Sequence, residues 1–271
     1  MKTCHPDCTV LVASCDRYAD ILVYFETLFA RYWPACPFET VLVTETARGV
    51  DGSGVFAREV ACGPGGNWAG RLVAALETVT TPYVLMLCDD YLLDRPVDTA
   101  RLLVRLGQAK RYNAANLRLI PNPRPNGPRI DEADPPLASY RKNTAYSIAT
   151  QSGFWARDFL LRLAREATSI WDFERLGSFS CGDETRPLLV TPDKEFPFVD
   201  AVHKGCWEPF GVKTLEANGL KPDFAVRGLP GLKTRLVEGL KGFVFHLVPL
   251  DWLVRAQNAL GLGAKEPAQR R

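Results

Sequence analysis

The chain has 271 residues, of which 46% are hydrophobic and 24% are charged, and its formal net charge is +2. This size and composition are typical of a packed globular protein that needs no disulfide bonds to bury its core. A charge this close to zero argues against a nucleic-acid-binding protein, because neutralising phosphates takes a clear excess of basic residues.

Short apolar runs alternate with helical patterns through the first 120 residues. Apolar, β-branched runs predict buried strands at residues 9–13, 40–44, 55–61, 83–87 and 114–120. Apolar residues at helical spacing predict intervening helices near residues 21–29, 68–79 and 97–110, with Asn67 as the N-cap of the second. This alternation indicates parallel strands joined by crossovers, and ligands bind such sheets beyond the carboxyl ends of the strands.

The chain after residue 120 has a less regular pattern. Six of the residues in 121–136 are proline, which predicts an extended surface loop without a helix. A strand is predicted at residues 145–149 and a helix at residues 154–167. Beyond Pro187 the pattern predicts irregular structure.

Asp89 and Asp90 follow the most strongly apolar predicted strand directly. Two acids at the end of a buried strand are unfavourable unless something compensates their charge, and a bound divalent cation would do so. The alternative interpretation is that the pair caps the loop or helix that follows.

Two segments resemble the GT-A class of nucleotide-sugar glycosyltransferases, of the type found in bacterial polysaccharide assembly. They are Ser-Cys-Asp-Arg at residues 14–17, and the segment from Asn67 to the sequence YVLMLCDDY at residues 83–91. The resemblance covers residues 9–120 well and residues 145–210 more loosely. It implies an α/β, GT-A-like Rossmann-type sandwich with a mainly parallel central sheet. It also implies an enzyme that moves a sugar from a nucleoside diphosphate-sugar to a hydroxyl of a glycan or lipid-linked acceptor, with inversion.

In that family a DxD motif holds the metal ion that bridges the donor diphosphate. Here the motif is a variant, because Cys88 stands where the first acid would be, followed by Asp89 and Asp90. The resemblance implies Asp90 as a ligand of Mg²⁺ or Mn²⁺ and Asp89 as a nucleotide or ribose contact. His203 is a second candidate metal ligand, because a late histidine can complete such a site.

The donor side of the implied site draws on the loop after the first strand. Ser14, Asp16 and Arg17 would contact the base or ribose, and Asp16 is equally placed to cap the helix that follows. Arg71 suits a diphosphate, although an ordinary solvated arginine is an equal interpretation. Lys204, before a glycine in a later loop, is a further diphosphate candidate.

The acceptor side needs a carboxylate, because inverting transfer requires a base for the acceptor hydroxyl. The order along the chain fits Glu174, Asp172 and Asp183, and the resemblance favours Glu174, with Asp172 next. The alternative interpretation of residues 171–174 is an amphipathic helical turn with Trp171 buried and the acids in water. Trp171 beside them suits a sugar ring. Gln151 and Trp155 belong to a region that meets the acceptor in the family, and packing in the core is the alternative for Trp155.

The basic excess of the chain lies entirely at its C-terminal end. Residues 229–271 hold seven Lys and Arg against three Asp and Glu, mixed with Leu, Val, Phe and Trp. This pattern predicts a basic amphipathic helical extension after one domain over residues 1–228. Such a segment can lie on an anionic membrane surface, and packing on the domain is the alternative.

No apolar run approaches the roughly 20 residues that a membrane-spanning helix needs. Residues 1–6 also lack the apolar stretch of a secretory signal. We therefore expect a cytoplasmic protein, with peripheral contact to the inner face of the membrane through the extension, whose eight cysteines are reduced thiols.

Two other functions fit parts of the pattern. A sugar-phosphate nucleotidyltransferase shares the nucleotide-binding topology, but it normally has a glycine-rich basic loop after the first strand, where this chain has residues 14–17. A non-catalytic nucleotide- or glycan-binding module with the same fold is the other alternative, because Cys88 replaces an acid.

Overall fold

The computed structural model of the protein describes residues 4–231, so the predicted C-terminal extension lies almost wholly outside the described residues. The described strands are β1 (Cys8–Ala13), β2 (Glu39–Thr44), β3 (Arg58–Ala61), β4 (Tyr83–Cys88), β5 (Tyr91–Leu93), β6 (Asn116–Arg118), β7 (Arg129–Ile130), β8 (Leu137–Tyr140), β9 (Gly153–Ala156), β10 (Leu188–Val190), β11 (Phe198–Asp200), β12 (Val202–His203) and β13 (Cys206–Trp207). The described α-helices are α1 (Ala19–Tyr32), α2 (Trp68–Thr78), α3 (Thr99–Arg111), α4 (Arg157–Glu166), α5 (Ile170–Ser180) and α6 (Pro209–Ala217).

The main sheet has nine strands in the order β3-β2-β1-β4-β9-β6-β10-β8-β7. The strands β3, β2, β1 and β4 run parallel to one another, and β6 and β10 run parallel to each other. β9 is inserted antiparallel between β4 and β6, and β8 and β7 form an antiparallel edge. Most strands of this sheet therefore run in one direction, which confirms the predicted α/β class with a mainly parallel central sheet.

The centre of the sheet is buried because helices cover strands that are apolar throughout. Every residue of β1 and of β4 is buried. α1 buries one helical face, made of Ile21, Leu22, Phe25, Leu28 and Phe29. α2 begins where predicted, because the Asn67 side chain accepts a hydrogen bond from the Gly70 N–H at 2.7 Å.

The strand predicted at residues 145–149 is wrong. Tyr146 has a φ of +56°, in the left-handed region, and a bulky residue rarely adopts this value in a strand. The carbonyl oxygens of Tyr146 and Ser147 accept hydrogen bonds from the Arg118 side chain rather than from a neighbouring strand. The strand of this region is β9, which includes the first three residues of the predicted helix, so α4 begins at Arg157.

The irregular structure predicted after Pro187 is also wrong. Strands β10 to β13 and helix α6 lie there, but the strands have only two or three residues each, too few for a periodic pattern. β11 pairs with β5, which places Asp200 opposite Tyr91. β12 and β13 form a hairpin with Lys204 and Gly205 at its turn, where both residues have positive φ.

The proline-rich segment at residues 121–136 contains no helix, as predicted, although β7 adds a short edge strand to it. Buried side chains of α3 hold the loop in place. Arg105 and Gln108 each donate a hydrogen bond to the carbonyl oxygen of Pro135 at 2.8 Å, and Arg105 pairs with Glu195 at 2.5 Å. Within residues 4–231, no helix combines the length and the apolar character that crossing a membrane requires.

Candidate functional site

The carboxyl ends of β1 and β4 meet at Asp89. The Ser14 hydroxyl donates a 2.5 Å hydrogen bond to Asp89 Oδ2, and the Asp89 N–H donates to the Ala13 carbonyl oxygen at 3.2 Å. Asp89 is buried, and burial raises the pKa of its carboxyl to about 7, against the lowering effects of the Ser14 hydrogen bond and of the Arg227 charge. This carboxylate is therefore fixed at the sheet edge where ligands of parallel sheets bind.

Asp90 adds a second carboxylate in the turn between β4 and β5. Its carbonyl oxygen accepts a hydrogen bond from the Ala201 N–H at 2.9 Å, which ties the turn to the end of β11. Burial raises the pKa of Asp90 well above its usual range, and the charges of Asp89 and Asp200 raise it further. Acidic groups from two separate chain segments thus converge at the end of β4.

This donor set fits a divalent cation that is shared with a substrate. No group of three or more His, Cys, Asp and Glu side chains in the described residues could hold a metal ion by itself. Mg²⁺, however, is usually held by one or two carboxylates together with substrate phosphates and water. A cation beside Asp90 would offset the charges of Asp89 and Asp200, which add to the effect of burial in raising the pKa of Asp90.

Glu174 approaches the same region from α5. Its Oε1 atom accepts hydrogen bonds from both the N–H and the hydroxyl of Thr150, each at 2.7 Å. Burial raises the pKa of Glu174, the Thr150 hydrogen bonds and the Arg118 charge lower it, and the charge of Asp200 raises it. A carboxyl whose pKa is raised above its usual value suits a general base better than an unperturbed one.

Asp172 lies on a different side of α5 from Glu174, because residues two positions apart on a helix do not face each other. Its carboxylate accepts a hydrogen bond from the Thr168 hydroxyl and lies 3.6 Å from the Arg175 guanidinium. Its N–H donates to Ser169 Oγ, the N-cap of the helix. Of the two candidate bases, the structure brings Glu174 to the carboxylate site and places Asp172 at the helix start.

Asp16 holds a neighbouring loop rather than a helix end. Its carboxylate accepts hydrogen bonds from the Thr46 N–H at 3.1 Å and from the Thr46 hydroxyl at 2.7 Å. The N-cap of α1 is Tyr18, with no side-chain cap, so the capping interpretation of Asp16 is wrong. Arg17, the next residue, is exposed.

Arg71 is buried and already paired. Its Nη1 atom lies 2.7 Å from Glu45 Oε1 and donates a 2.6 Å hydrogen bond to the Gly66 carbonyl oxygen. The interpretation of Arg71 as an ordinary solvated arginine is therefore wrong. In this arrangement it joins the glycine-rich loop before α2 to the loop after β2.

The acceptor-side candidates fall into two groups. Trp155 is fully buried, and its ring packs against those of Phe159 and Phe173, as the core interpretation predicts. Trp171, at the start of α5, is 36% exposed, and Gln151 is half-buried directly after Thr150. The second group is thus accessible from solvent, whereas Trp155 is not.

The hairpin of β12 and β13 carries the two remaining candidates. His203 is exposed at the end of β12, and Lys204 begins the turn. Burial of its carboxyl raises the pKa of Asp200, and the charges of Lys194 and His203 lower it. His203 therefore lies within electrostatic range of Asp200, at the end of β11.

Arg227 is a residue that the sequence analysis did not select. Its guanidinium makes a bidentate pair with Asp20, at 2.7 and 2.9 Å, and lies 4.3 Å from the Tyr18 ring centre. Its charge lowers the pKa values of both Asp89 and Asp90. An isolated arginine late in the chain carries no motif, so no sequence pattern could have marked it.

Comparisons with known proteins give only distant likenesses. No protein-family model matches the sequence, and no curated protein matches it. Among solved structures, the bifunctional IspDF from Campylobacter jejuni is similar at 12% identity and a TM-score of 0.38, over 65% of this chain and 47% of that one. TarS 1-349 from S. aureus, in complex with UDP-GlcNAc, is similar at 11% identity and a TM-score of 0.43, over 78% of this chain and 65% of that one.

A third solved structure is matched over almost its whole length. It is a cytidylyltransferase from Leptospira borgpetersenii serovar Hardjo-bovis, at 10% identity and a TM-score of 0.42, over 84% of this chain and 99% of that one. By contrast, the chain spans less than two thirds of IspDF and of the TarS fragment. The function proposed next rests on the geometry of this chain.

Proposed function

We propose that this protein is a glycosyltransferase that moves a sugar from a nucleoside diphosphate-sugar to a hydroxyl of a glycan or lipid-linked acceptor, with inversion. The observation that supports the proposal is that a carboxyl of α5 lies within electrostatic range of Cys88, the last residue of β4, which Asp89 and Asp90 follow directly. Asp89 and Asp90 lie at the end of β4, and the Glu174 carboxyl approaches from α5. The first pair suits a cation and a donor, and the second group suits a base.

The donor side would be organised around Asp90, with Mg²⁺ or Mn²⁺ as the cation and His203 as a further ligand. When bound, the cation would neutralise the charge that develops on the leaving diphosphate. Ser14 and Asp89, already joined by a 2.5 Å hydrogen bond, would contact the nucleoside. Arg17 and Lys204 would reach the donor from the two loops that border this edge, whereas Asp16 and Arg71 would shape the nucleoside side through their bonds to the loop after β2.

The acceptor side would be organised around Glu174. In its ionised form this carboxylate takes the proton from the acceptor hydroxyl as the new glycosidic bond forms. Gln151 follows Thr150, Trp171 precedes Glu174 by three residues on α5, and both are accessible; an exposed indole offers an apolar face to a sugar ring. Because the carboxylate is anchored by Thr150, it needs little reorganisation before the transfer.

The test uses the purified full chain with a panel of nucleoside diphosphate-sugars and Mn²⁺. Donor binding is measured by calorimetry, and transfer is measured by release of the nucleoside diphosphate in the presence of glycan acceptors. Asp90→Asn should lose metal-dependent donor binding. Glu174→Gln should keep donor binding and lose about 100-fold or more in transfer, the usual contribution of a general base. Glu77→Gln, at an exposed carboxylate paired with Arg165, is the matched control.

The outcomes separate the proposed function from its rivals. An Asp90→Asn variant with intact donor hydrolysis and transfer would show that the central assignment is wrong. Release of pyrophosphate from a nucleoside triphosphate and a sugar phosphate would identify a nucleotidyltransferase instead. Donor binding without turnover, over the whole panel, would identify a binding module.

A further inference from the structure

Arg118 is a fully buried arginine whose charge acts on the candidate base, Glu174. Arg118 is the last residue of β6, has no exposed surface, and lies with its guanidinium 4.3 Å from the centre of the Tyr140 ring. Burying a guanidinium is unfavourable unless its donors are used. The hydrogen bonds of Arg118 therefore show what the side chain is placed to hold.

Arg118 uses its donors on backbone carbonyl oxygens of two loops. Nη2 donates to the carbonyl oxygens of Tyr146 at 3.1 Å and Ser147 at 2.9 Å, and Nη1 donates to that of Asn122 at 3.1 Å. Two of these three acceptors lie in the loop at residues 143–150. The two Nη atoms of the guanidinium therefore bond to loop backbone, while the side chain also interacts with Tyr140 and its Nε atom is buried without a hydrogen-bond partner.

The loop that Arg118 holds is strained. Asn143 and Tyr146 have φ values of +58° and +56°, and a left-handed tyrosine persists only where its surroundings impose it. The opposite side of the loop is fixed by α5, because Ser178 Oγ accepts the Ile148 N–H at 3.0 Å. Arg118 and Ser178 thus hold the loop from its two sides.

The end of this loop is Thr150, which makes both hydrogen bonds to Glu174. The Thr150 carbonyl oxygen also accepts a hydrogen bond from the Tyr91 hydroxyl at 3.2 Å, so the residue is fixed in three ways. A shift of the loop by a few tenths of an ångström would lengthen the two 2.7 Å contacts to Glu174 together. The path from Arg118 to the carboxylate therefore runs through its hydrogen bonds to Tyr146 and Ser147, the backbone of residues 147–150, and the two hydrogen bonds of Thr150.

We propose that Arg118 is a positioning residue for Glu174: its guanidinium fixes the loop at residues 143–150 so that Thr150 presents two donors to one oxygen of the carboxylate. This role rests on the proposed function, in which Glu174 is the base. The positive charge of Arg118 also lowers the pKa of Glu174. Arg118 therefore acts on Glu174 both through the loop and through its charge. The remaining titratable groups that interact with Glu174 come from other elements: Asp200 on β11, Cys88 on β4, Tyr91 on β5 and Tyr146 in the loop.

The test compares Arg118→Met with Arg118→Lys by the pH dependence of transfer. A base acts only when ionised, so activity rises with pH through its pKa. Removing the cation and loosening the Thr150 contacts both raise that pKa, so Arg118→Met should move the acid limb up by about one pH unit. Arg118→Lys keeps the charge and should shift the limb less, while kcat still falls because one ammonium does not replace three directed hydrogen bonds.

Arg105→Lys is the matched control. Arg105 is equally buried and also donates to a loop carbonyl oxygen, but its other partners are Glu195 and Gln108, in the network that holds the proline-rich loop. This control should leave the acid limb in place. Affinity for the nucleoside diphosphate should stay within about twofold in both Arg118 variants, because the loop contacts Glu174 and not the donor side.

A direct titration keeps the inference separate from the proposed function. The pKa of Glu174 is measured by ¹³C NMR of carboxyl-labelled protein, assigned by difference with Glu174→Gln, and needs no substrate. Absence of transfer in the wild type would refute the proposed function, and the titration would still test the role of Arg118. An unchanged Glu174 pKa in Arg118→Met would overturn the inference.

A second variant covers the case in which Arg118→Met does not fold. Thr150→Val leaves Arg118 in place and removes one of the two hydrogen bonds to Glu174, so it should raise the same pKa. Thr150→Ser keeps the hydroxyl and should restore it. If Thr150→Val shifts the pKa while Arg118→Lys leaves both the pKa and kcat unchanged, Arg118 has no positioning role.

Discussion

Asp89 is an ionisable residue that its surroundings hold in place. It is buried at the end of a parallel strand, its side chain accepts from Ser14, and its N–H donates to β1. Ser14 compensates only part of the loss of hydration, so the carboxyl keeps a raised pKa of about 7. Because the pKa of Asp89 is raised in the folded protein, its protonation state affects the free energy of unfolding. A cation bound beside it would affect both.

The raised pKa of Asp89 predicts a pH-dependent stability of the metal-free protein. Between the usual value near 3.8 and the folded value near 7, the native state retains a proton that the unfolded chain has lost. The stabilisation is therefore complete below pH 4 and is lost as pH rises to 7. The melting temperature in EDTA should fall between pH 5 and pH 8, and Mn²⁺ should recover it at the upper end.

Asp89→Asn should make the melting temperature less dependent on pH, because the amide does not titrate. Melting is followed by circular dichroism, in parallel with Asp158→Asn, which changes an exposed carboxylate on α4 that is paired with Arg186. An Asp89→Asn protein with the slope of the wild type would show that another group controls the pH dependence.

At the scale of secondary-structure elements, β9 is a strand that the local sequence pattern did not predict. β9 has four residues, and the predicted helix included three of them because Phe154, Trp155 and Ala156 also fit a buried helical face. What makes this segment a strand is the gap between β4 and β6, which it fills with antiparallel pairing on both sides. Tertiary context therefore decided the structure of the segment that precedes α4.

Gly153 is the residue that lets β9 enter this gap. A Cβ atom there would lie 2.8 Å from the Leu117 carbonyl oxygen and 3.0 Å from the Arg118 Cα, and both are backbone atoms of β6. We expect Gly153→Ala to destabilise the protein by about 1–3 kcal/mol, the usual effect of overpacking. Because the clash displaces β6 at Arg118, transfer should fall as well.

Gly107→Ala is the control for that prediction. Gly107 lies in α3, is exposed, and has nothing within 4 Å of an added Cβ atom. Alanine there should stabilise the protein by about 0.5–1 kcal/mol, because glycine is unfavourable inside helices. Urea unfolding measures both variants, and a Gly153→Ala protein as stable as Gly107→Ala would contradict the packing argument.

At the scale of the whole molecule, the sequence predicted what is encoded locally. The strand before Asp89 and Asp90 and the N-cap at Asn67 are both confirmed. Each depends on residues that are close together in the sequence. The environment of Glu174 depends instead on Thr150 and Arg118, which reach it from other elements. No spacing in the chain encodes such contacts, because short strands and a strained loop create them only in the folded protein.

Arg227 shows the same principle over a long separation in sequence. The segment after α6 returns over α1, where Arg31 donates to Asn218 at 2.7 Å and Tyr24 donates to the Lys221 carbonyl oxygen at 2.7 Å. It brings Arg227 to Asp20 beside the first strand. A residue held in place by a partner about two hundred positions earlier thereby comes within electrostatic range of Asp89.

Arg227→Met removes a buried positive charge that lowers the pKa of Asp89. We expect the variant to have a higher Asp89 pKa and to bind the nucleoside diphosphate about tenfold more weakly. Calorimetry with Mn²⁺ measures the affinity. Arg31→Met is the control, since it loosens the same returning segment at an exposed position without removing a charge near Asp89. If Arg31→Met weakens binding as much as Arg227→Met does, Arg227 serves only to hold the segment. If Arg227→Met alone does so, its charge belongs to the donor site.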